Sequence, residues 1–330
     1  MSVQTEGADT VGATGVRKSE APPPHEPVKP ARKRGTAPYL LLLPALAATL
    51  ILLGWPLVKN GMLSFQNLNP RQLILHLTEW NGFDNYAEVL GGSEFWRVVL
   101  RSVIFTAANV VLIMLFGTLV GLLLARLGKR MRLLLLFGLV LAWAMPLLAG
   151  TTVFQWLFAQ RFGVVNGFLN QLGWHSMADH NWLDTQFSTF VVITLLIVWG
   201  SIPFVAINLY AATTTIPKEL YEAASLDGAG GWTSWTSVTW PFLKPFLLAT
   251  TFLEVIWVFK AFPQVFAMNE GGPDRLTETL PIYAFVEGMG NQHFGMGAAI
   301  SFLTILVLLV MTSYYLRMVL KQDDQEGAEL

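Results

Sequence analysis

The residues best placed to act in this chain form one short polar block, Glu222-Ala223-Ala224-Ser225-Leu226-Asp227-Gly228-Ala229, followed by a stretch that ends at Trp240-Pro241. Their chemistry is contact and leverage, with no bond made or broken. Pro217 suits the first position of a helix, where its missing N–H leaves nothing unsatisfied, so Lys218 to Leu226 reads as a short helix. Ala223 and Ala224 are small enough for another surface to come close, and Glu222 presents a carboxylate to a basic partner. Asp227-Gly228-Ala229-Gly230-Gly231 ends the helix, because glycine enters the left-handed region without steric penalty. Trp232, Trp235 and Val238 come next at spacings of three, one face of a second helix, and Pro241 and Pro245 open the return to an apolar segment. The block reads as a docking surface. A plain connector is the alternative, but connectors rarely need two helices and a glycine-built turn.

Covalent chemistry has little to work with. The chain has no cysteine, which excludes thiol catalysis, thiolate metal sites and disulfides. Gly128-Lys129 lacks the upstream glycine spacing of a phosphate-cradling loop, and Arg130 stands where serine or threonine would hold magnesium. Two ionisable residues, Glu254 and Lys260, fall inside an apolar segment, where each needs a partner or a polar cavity. At about 100° per residue they lie about 120° apart on a helix, so they do not share a face. Lys260 can instead extend toward water along its own stem. Asn109 and Asn208 bring amides to similar depth.

These residues are embedded in a chain of 330 residues that is 53% hydrophobic and 13% charged, against about 25% charged for soluble domains. A bilayer core about 30 Å thick needs about 20 helical residues, and six apolar stretches qualify, at about 38–58, 97–125, 131–157, 187–211, 243–268 and 295–318. The expected fold is an all-α membrane protein with six transmembrane helices and a loop between the fourth and fifth. Pro146, Pro203 and Pro263 fall within these segments; neighbouring helices can satisfy the carbonyls they free. The formal net charge is −1 with dispersed basic residues, which argues against a nucleic-acid partner.

Short-loop lysine and arginine set orientation. Arg32-Lys33-Arg34 precedes the first segment; Arg126, Lys129, Arg130 and Arg132 join the second and third. Lys218 and Lys244 bracket the fourth-to-fifth connection, and Arg317 and Lys321 lie at the end of the sixth segment. All stand on one face, which places both termini and the 222–241 block in the cytoplasm. Residues 1–37, with Pro22-Pro23-Pro24 and almost no apolar pattern, read as a disordered tail. They are too long to precede a cleaved secretory signal. On the other side, residues 59–96 and 158–186 carry Trp80, Trp174 and Trp182, expected on short helices as interfacial anchors.

The string EAASLDGAGGWTSWTSVTWPFLKP resembles the EAA coupling loop of ATP-binding-cassette importer membrane subunits, nearest the carbohydrate group that includes the maltose and glycerol-phosphate permeases. Glu222, Ala223, Ala224, Asp227, Gly228, Ala229 and Pro241 match its pattern; Trp240 stands where leucine is usual, and Gly231 where a bulkier residue is common. A second match runs through Gly271-Gly272-Pro273, Thr277-Glu278-Thr279 and Phe294-Gly295-Met296-Gly297-Ala298-Ala299. The resemblance covers roughly residues 38–320. It implies the type I importer permease architecture: a first helix and external loop at 38–96, a five-helix core at 97–320 with its coupling loop at 216–244, and a cytoplasmic tail at 321–330.

It also implies a function and partners. The chain would be the permease subunit of an ATP-driven importer in a bacterial or archaeal plasma membrane. A second homologous permease, two ATPase subunits holding ATP and magnesium, an extracellular or periplasmic solute-binding protein and membrane lipid would surround it. By local matching to the maltose-type members, Phe204 and Trp257 occupy aromatic positions of the solute path and Ser201 a small one, with Glu254 and Lys260 beside them as further candidates. Val258 and Ala261 stand where those members carry amides, and Phe204 has no hydroxyl, so maltose specificity does not carry over. The expected cargo is a neutral di- or oligosaccharide; glycerol phosphate or another polar solute stays open. A secondary transporter, the reading from a different class, would need coupling-ion ligands and inverted repeats that the sequence does not display.

Overall fold

The computed structural model describes the backbone of residues 37–328 and the side chains of residues 41–319. The tail at 1–36, with Arg32-Lys33-Arg34, and the side chain of Lys321 lie outside the described residues. The described backbone is helical throughout its long elements, as the all-α expectation requires. Among the described residues five helices are long and apolar enough to cross a membrane, at Leu41–Leu63, Ser93–Arg126, Gln186–Thr214, Gly231–Asn269 and Phe294–Val319, and the bent pair Lys129–Ala144 and Leu147–Leu157 passes the same test when taken together. The first crossing runs through α1 (Ala37–Thr49), a π turn at Leu50–Gly54 and α2 (Trp55–Leu63).

Outside the spans come the short helices α3 (Pro70–Ile74) and α4 (Asp84–Gly91), then the long α5 (Ser93–Arg126). The third apolar segment differs from the continuous helix expected at 131–157. It is broken into α6 (Lys129–Ala144) and α7 (Leu147–Leu157), bent by 99°. Pro146 supplies the reason: a residue before proline is pushed out of the α region, and Met145 takes φ −65°, ψ 128°. After α8 (Val164–Gln171), α9 (Gln186–Thr214) runs unbroken through Pro203, its start capped by Thr185 Oγ1, which accepts from the Ser188 N–H at 3.2 Å.

The loop helices α10 (Lys218–Leu226) and α11 (Gly231–Ser234) lead into α12 (Trp240–Phe259) and α13 (Phe262–Asn269). The fifth segment, expected as one stretch at 243–268, is interrupted at Lys260–Ala261. Pro263 has no N–H to give the Phe259 carbonyl four residues back, so the ladder stops there. Two final helices complete the chain, α14 (Leu280–Phe285) and α15 (Phe294–Ala328). The last carries helix through residues 321–328, the segment read as a tail.

Two buried clusters hold residues 53–328 together. One joins α5, α9, α12 and α13 through Ile113, Val192, Ile193, Leu209, Val258 and Val265. The other joins α4, α5, α14 and α15 through Val89, Phe95, Val98, Leu280 and Ile300. Helices in lipid approach closely only where small residues permit, and α5 meets α9 at Gly117 and Gly121. A Cβ on Gly121 would lie 2.9 Å from the Ala206 carbonyl oxygen, and one on Gly117 would lie 2.5 Å from Val205 Cβ. Gly121→Val is therefore expected to destabilise by about 1–3 kcal/mol through overpacking. Gly138→Val, where nothing lies within 4 Å, should be neutral. Thermal unfolding of the purified subunit in detergent checks both, and equal midpoints would contradict this account of the contact.

The loops between the first and second and the third and fourth apolar segments are pinned by buried amides. Asn85 Nδ2 donates to the carbonyls of Ser64 (2.9 Å) and Gln66 (3.0 Å). Trp80 and Trp174 are 60% and 62% exposed. Trp182 departs from the expected interfacial anchor. Its indole turns inward, donating to Asn166 Oδ1 at 2.6 Å and packing edge-on against Phe158 at 5.3 Å between ring centroids. The buried Asn166 side chain needs the donor, and that need outweighs the interface.

Candidate coupling loop and solute path

Glu222, Ala223 and Ala224 sit on α10 as the sequence suggests. Pro217 caps this helix from one residue outside, with ψ 136°, and Lys218 is the first helical residue. At the far end Gly228 takes φ +78° with open space around it. The requirement there is backbone conformation, not room. The turn closes with the Ala229 N–H donating to the Ala224 carbonyl at 2.9 Å and the Gly228 N–H to the Ser225 carbonyl at 3.1 Å, the paired closure of a glycine-ended helix. Glu222 is exposed and forms no ion pair among the described residues, while Leu226 is 88% exposed. The helix therefore displays a carboxylate, two small residues and a leucine to whatever lies beyond.

The second half of the loop corrects the expected register. α11 is four residues long and gives way to a π turn at Trp235–Thr239 before α12 begins. A π turn holds an extra residue, which rotates the succeeding helix about its axis. Trp232, Trp235 and Val238 consequently do not share a face: Trp232 is 77% exposed and Val238 8%. The π turn also aims Thr239 back at α10, where its hydroxyl and that of Tyr221 share a 2.9 Å hydrogen bond. That bond fixes the angle between the loop helix and the spanning helix. Pro241 follows the π turn inside a continuous helical path, where a residue without an N–H breaks the four-residue ladder.

Ser201 and Phe204 on α9 face Glu254 and Trp257 on α12. The Phe204 and Trp257 rings lie 4.8 Å apart at 60°, a tilted aromatic pair. Glu254 is 0% exposed and neither carboxylate oxygen has a hydrogen-bond partner among the described residues. Lys260 stands apart, exposed at the break that ends α12. Both asparagines bond within the helices: Asn208 Nδ2 donates to the Phe204 carbonyl at 2.8 Å, and Asn109 Nδ2 to the Phe105 carbonyl at 2.8 Å and Thr194 Oγ1 at 3.3 Å. Asn109 is thus a bridge from α5 to α9.

Sequence reasoning missed Gln264. Its Oε1 is buried without a partner, and it lines a cavity of about 290 Å³ with Ser201, Trp199, Gly150 and Pro146. The signal was available in Pro146 and Pro263, because broken helices in membranes expose backbone and polar groups to cavities.

A second missed constellation orders the loop between α13 and α15. Arg275 Nε and Nη2 donate to the two Glu278 oxygens at 2.7 and 3.2 Å, and Nη2 also reaches Glu287 Oε1 at 2.8 Å. Asn291 Nδ2 donates to Glu287 Oε2 at 2.9 Å, and Arg101 Nη1 ties the carbonyls of Arg275 and Glu278 to α5 at 2.9 and 3.0 Å. Burial pushes the Glu278 carboxyl up, against the pull of Arg275. For Glu287, burial also acts upward, but the Asn291 amide and the Arg275 guanidinium outweigh it and hold the group below the usual range. The Arg275 guanidinium is raised, chiefly by its bond to Glu278.

Several apolar helices of spanning length, a cavity at the α6–α7 break that holds Ser201 and Gln264, and a polar loop joined to a spanning helix are the parts of a membrane permease. Residues 117–320 match the family described as binding-protein-dependent transport system inner membrane component. The chain belongs to this family. It is 68% identical over 328 residues to the diacetylchitobiose uptake system permease protein of Streptomyces coelicolor, covering 99% of this chain and 100% of that one. It is 31% identical over 280 residues to the trehalose/maltose transport system permease protein of Thermococcus litoralis, covering 84% and 92% of the two chains. A crystal structure of a bacterial ABC transporter that imports the acidic polysaccharide alginate superposes with a TM-score of 0.71 at 19% identity, covering 87% of this chain and 96% of that chain. The membership agrees with the resemblance carried by the EAA string, and the superposition with the expected fold.

Proposed function

We propose that this chain is the permease subunit of an ATP-driven importer whose cargo is a neutral disaccharide or short oligosaccharide of the N-acetylated amino-sugar class. The observation that carries this reading is the 68% identity, across the full length of both chains, to a diacetylchitobiose permease. Ser201, Phe204 and Trp257 form the solute-facing part of the path, with the rings stacking on apolar sugar faces and the hydroxyl and Gln264 serving polar groups. Glu254 stands in the wall and Lys260 at the break. Glu222, Ala223, Ala224, Asp227, Gly228, Ala229 and Pro241 form the element that docks on an ATPase.

In this reading both termini and the loop face the cytoplasm, as the basic short connections favour. This chain hydrolyses nothing. Two partner ATPase subunits bind ATP with magnesium, and their closure moves α10, whose hydrogen bond to the Thr239 turn carries the displacement into α12. A second, homologous permease completes the path, and a solute-binding protein delivers the cargo from outside.

The test is uptake by the reconstituted complex with its binding protein. Diacetylchitobiose is expected to be transported and to stimulate ATP hydrolysis, with maltose and glycerol phosphate far weaker. Trp257→Ala is expected to lower uptake about tenfold, the equivalent of about 1.4 kcal/mol of aromatic contact, with the complex still assembled. Productive uptake of glycerol phosphate alone would reject the neutral-sugar cargo, and transport by the isolated chain would reject the assembly.

A further inference from the structure

The break between α6 and α7 leaves a cavity of about 290 Å³ against α9 and α13. Gln264 reaches it from α13, and its Oε1 is buried there with no hydrogen-bond partner among the described residues. The helix that carries Gln264 is fixed, because Gln155 Nε2 on α7 donates to the Ala267 and Met268 carbonyls of α13 at 2.8 and 3.2 Å. A second acceptor comes from α9. Pro203 has no N–H to give the Trp199 carbonyl four residues back, and Trp199 lines the same cavity. Trp143, Leu147 and Leu196 make much of the remaining wall apolar. The Trp199 indole is held by the Phe154 ring, 5.8 Å away between centroids. Among the described residues, none that lines the cavity is charged.

We propose that this cavity is the acetamido subsite of the transport path: it takes one N-acetylated sugar ring, whose N–H donates to Gln264 Oε1 while its methyl group lies on the apolar wall. The proposal deepens the amino-sugar reading of the cargo and rests on it. The lining selects such a group. A buried acceptor without a partner is unfavourable at spanning depth, so the occupant must bring a donor. A cation would stand there with its charge uncompensated. An acetamido group is neutral and carries an N–H and a methyl close together. Volume sets how much of the cargo enters. Pockets for drug-sized ligands start at about 300 Å³, so the cavity admits one ring and not two. The second ring has its place alongside. Ser201 lines the cavity, and Phe204 follows it three residues on along α9, the spacing of neighbours on one helix face. Trp257 lies 4.8 Å from Phe204 between ring centroids. One ring stacks on that aromatic pair while the other places its acetamido group at Gln264.

The test uses the complete reconstituted complex and two cargoes, diacetylchitobiose and its isosteric analogue with O-acetyl in place of N-acetyl groups, each at saturation of the binding protein. The ester lacks the N–H and leaves Gln264 Oε1 unpaired, so its uptake is expected to be at least about tenfold slower. Gln264→Leu is expected to slow diacetylchitobiose to the rate of the ester and leave the ester unchanged. Gly150→Phe is expected to stop both by filling the cavity in a complex that still assembles, since a Cβ at Gly150 meets its nearest neighbour, Trp199, at an ordinary 3.6 Å. A Gln264→Leu complex that keeps the wild-type preference, as it would if water alone filled the cavity, overturns the proposal. Equal slowing of both cargoes, the mark of a structural role, overturns it too, as does full uptake in an assembled Gly150→Phe complex. Each of these results leaves diacetylchitobiose as cargo. A wild-type complex that carries no diacetylchitobiose rejects the cargo, and the subsite with it.

Discussion

Glu222→Lys and Gly228→Val are each expected to leave the subunit inserted and assembled while cutting uptake tenfold or more and detaching ATP hydrolysis from transport. Glu222 projects from α10 with no ion pair among the described residues, so a reversed charge alters what α10 offers a partner without disturbing its own packing. Gly228 acts through geometry. Its φ of +78° is open to glycine, whereas a β-branched side chain there is strained by at least about 1–2 kcal/mol. Relief of that strain would open the Ala229 to Ala224 closure and re-aim the loop. Gly228→Asn, which tolerates the left-handed region better, should retain more activity than Gly228→Val. The measurements are solute uptake and binding-protein-stimulated ATPase activity of the same reconstituted complexes. Wild-type values of both in Glu222→Lys and Gly228→Val would sink the coupling assignment.

The second large effect lies on the opposite side of the molecule. Arg275→Ala should cost about 1–3 kcal/mol of local stability, because it leaves a carboxylate that is 1% exposed without its donor, while the half-exposed arginine itself was only partly desolvated. The loop from Gly271 to Asn291 would lose its order, including the Leu280 N–H that donates to Ser102 Oγ at 2.8 Å and seats α14 on α5. Amide exchange of this loop in the intact complex reads the outcome: faster exchange at 271–291 with unchanged exchange in α9. Arg275→Lys should fall between, since an ammonium cannot span both carboxylates with a guanidinium's geometry. Acid gives a check of sign. Glu278, raised by burial, gains stability for the folded loop as it takes up its proton. Glu287, held low, contributes stability above the ordinary carboxylate range that is lost as pH falls through its depressed value. Loop protection should therefore fail only at the lower of the two titrations. Failure at the higher one would contradict this account of the network.

Legibility in the sequence tracks the strength of the local signal. The crossings are visible because burial in lipid demands about 20 apolar residues whatever the neighbours do. The coupling helix is visible because Pro217 and Gly228 are backbone statements, readable without a partner. Pro146, Pro203 and Pro263 were visible as residues but not as outcomes. Pro203 lies within an intact α9, whereas Pro146 and Pro263 stand at breaks. Proline removes the same hydrogen bond each time; whether the helix continues depends on what the surrounding helices supply.

Sequence alone determined the helical class, the crossings, the position of the polar loop and the pairing of Phe204 with Trp257 as candidates for one path. Tertiary structure decided the rest, because the deciding interactions link residues far apart along the chain. The π turn at 235–239 moved Trp232 and Val238 to different environments, Asn166 drew Trp182 inward, and Arg275 gathered Glu278, Glu287 and the carbonyls held by Arg101. Gln264 became a cavity residue only when the α6–α7 bend placed Pro146 opposite α13. Such arrangements are set by which unsatisfied polar group finds a partner in a medium that offers no water, and no local pattern encodes that choice.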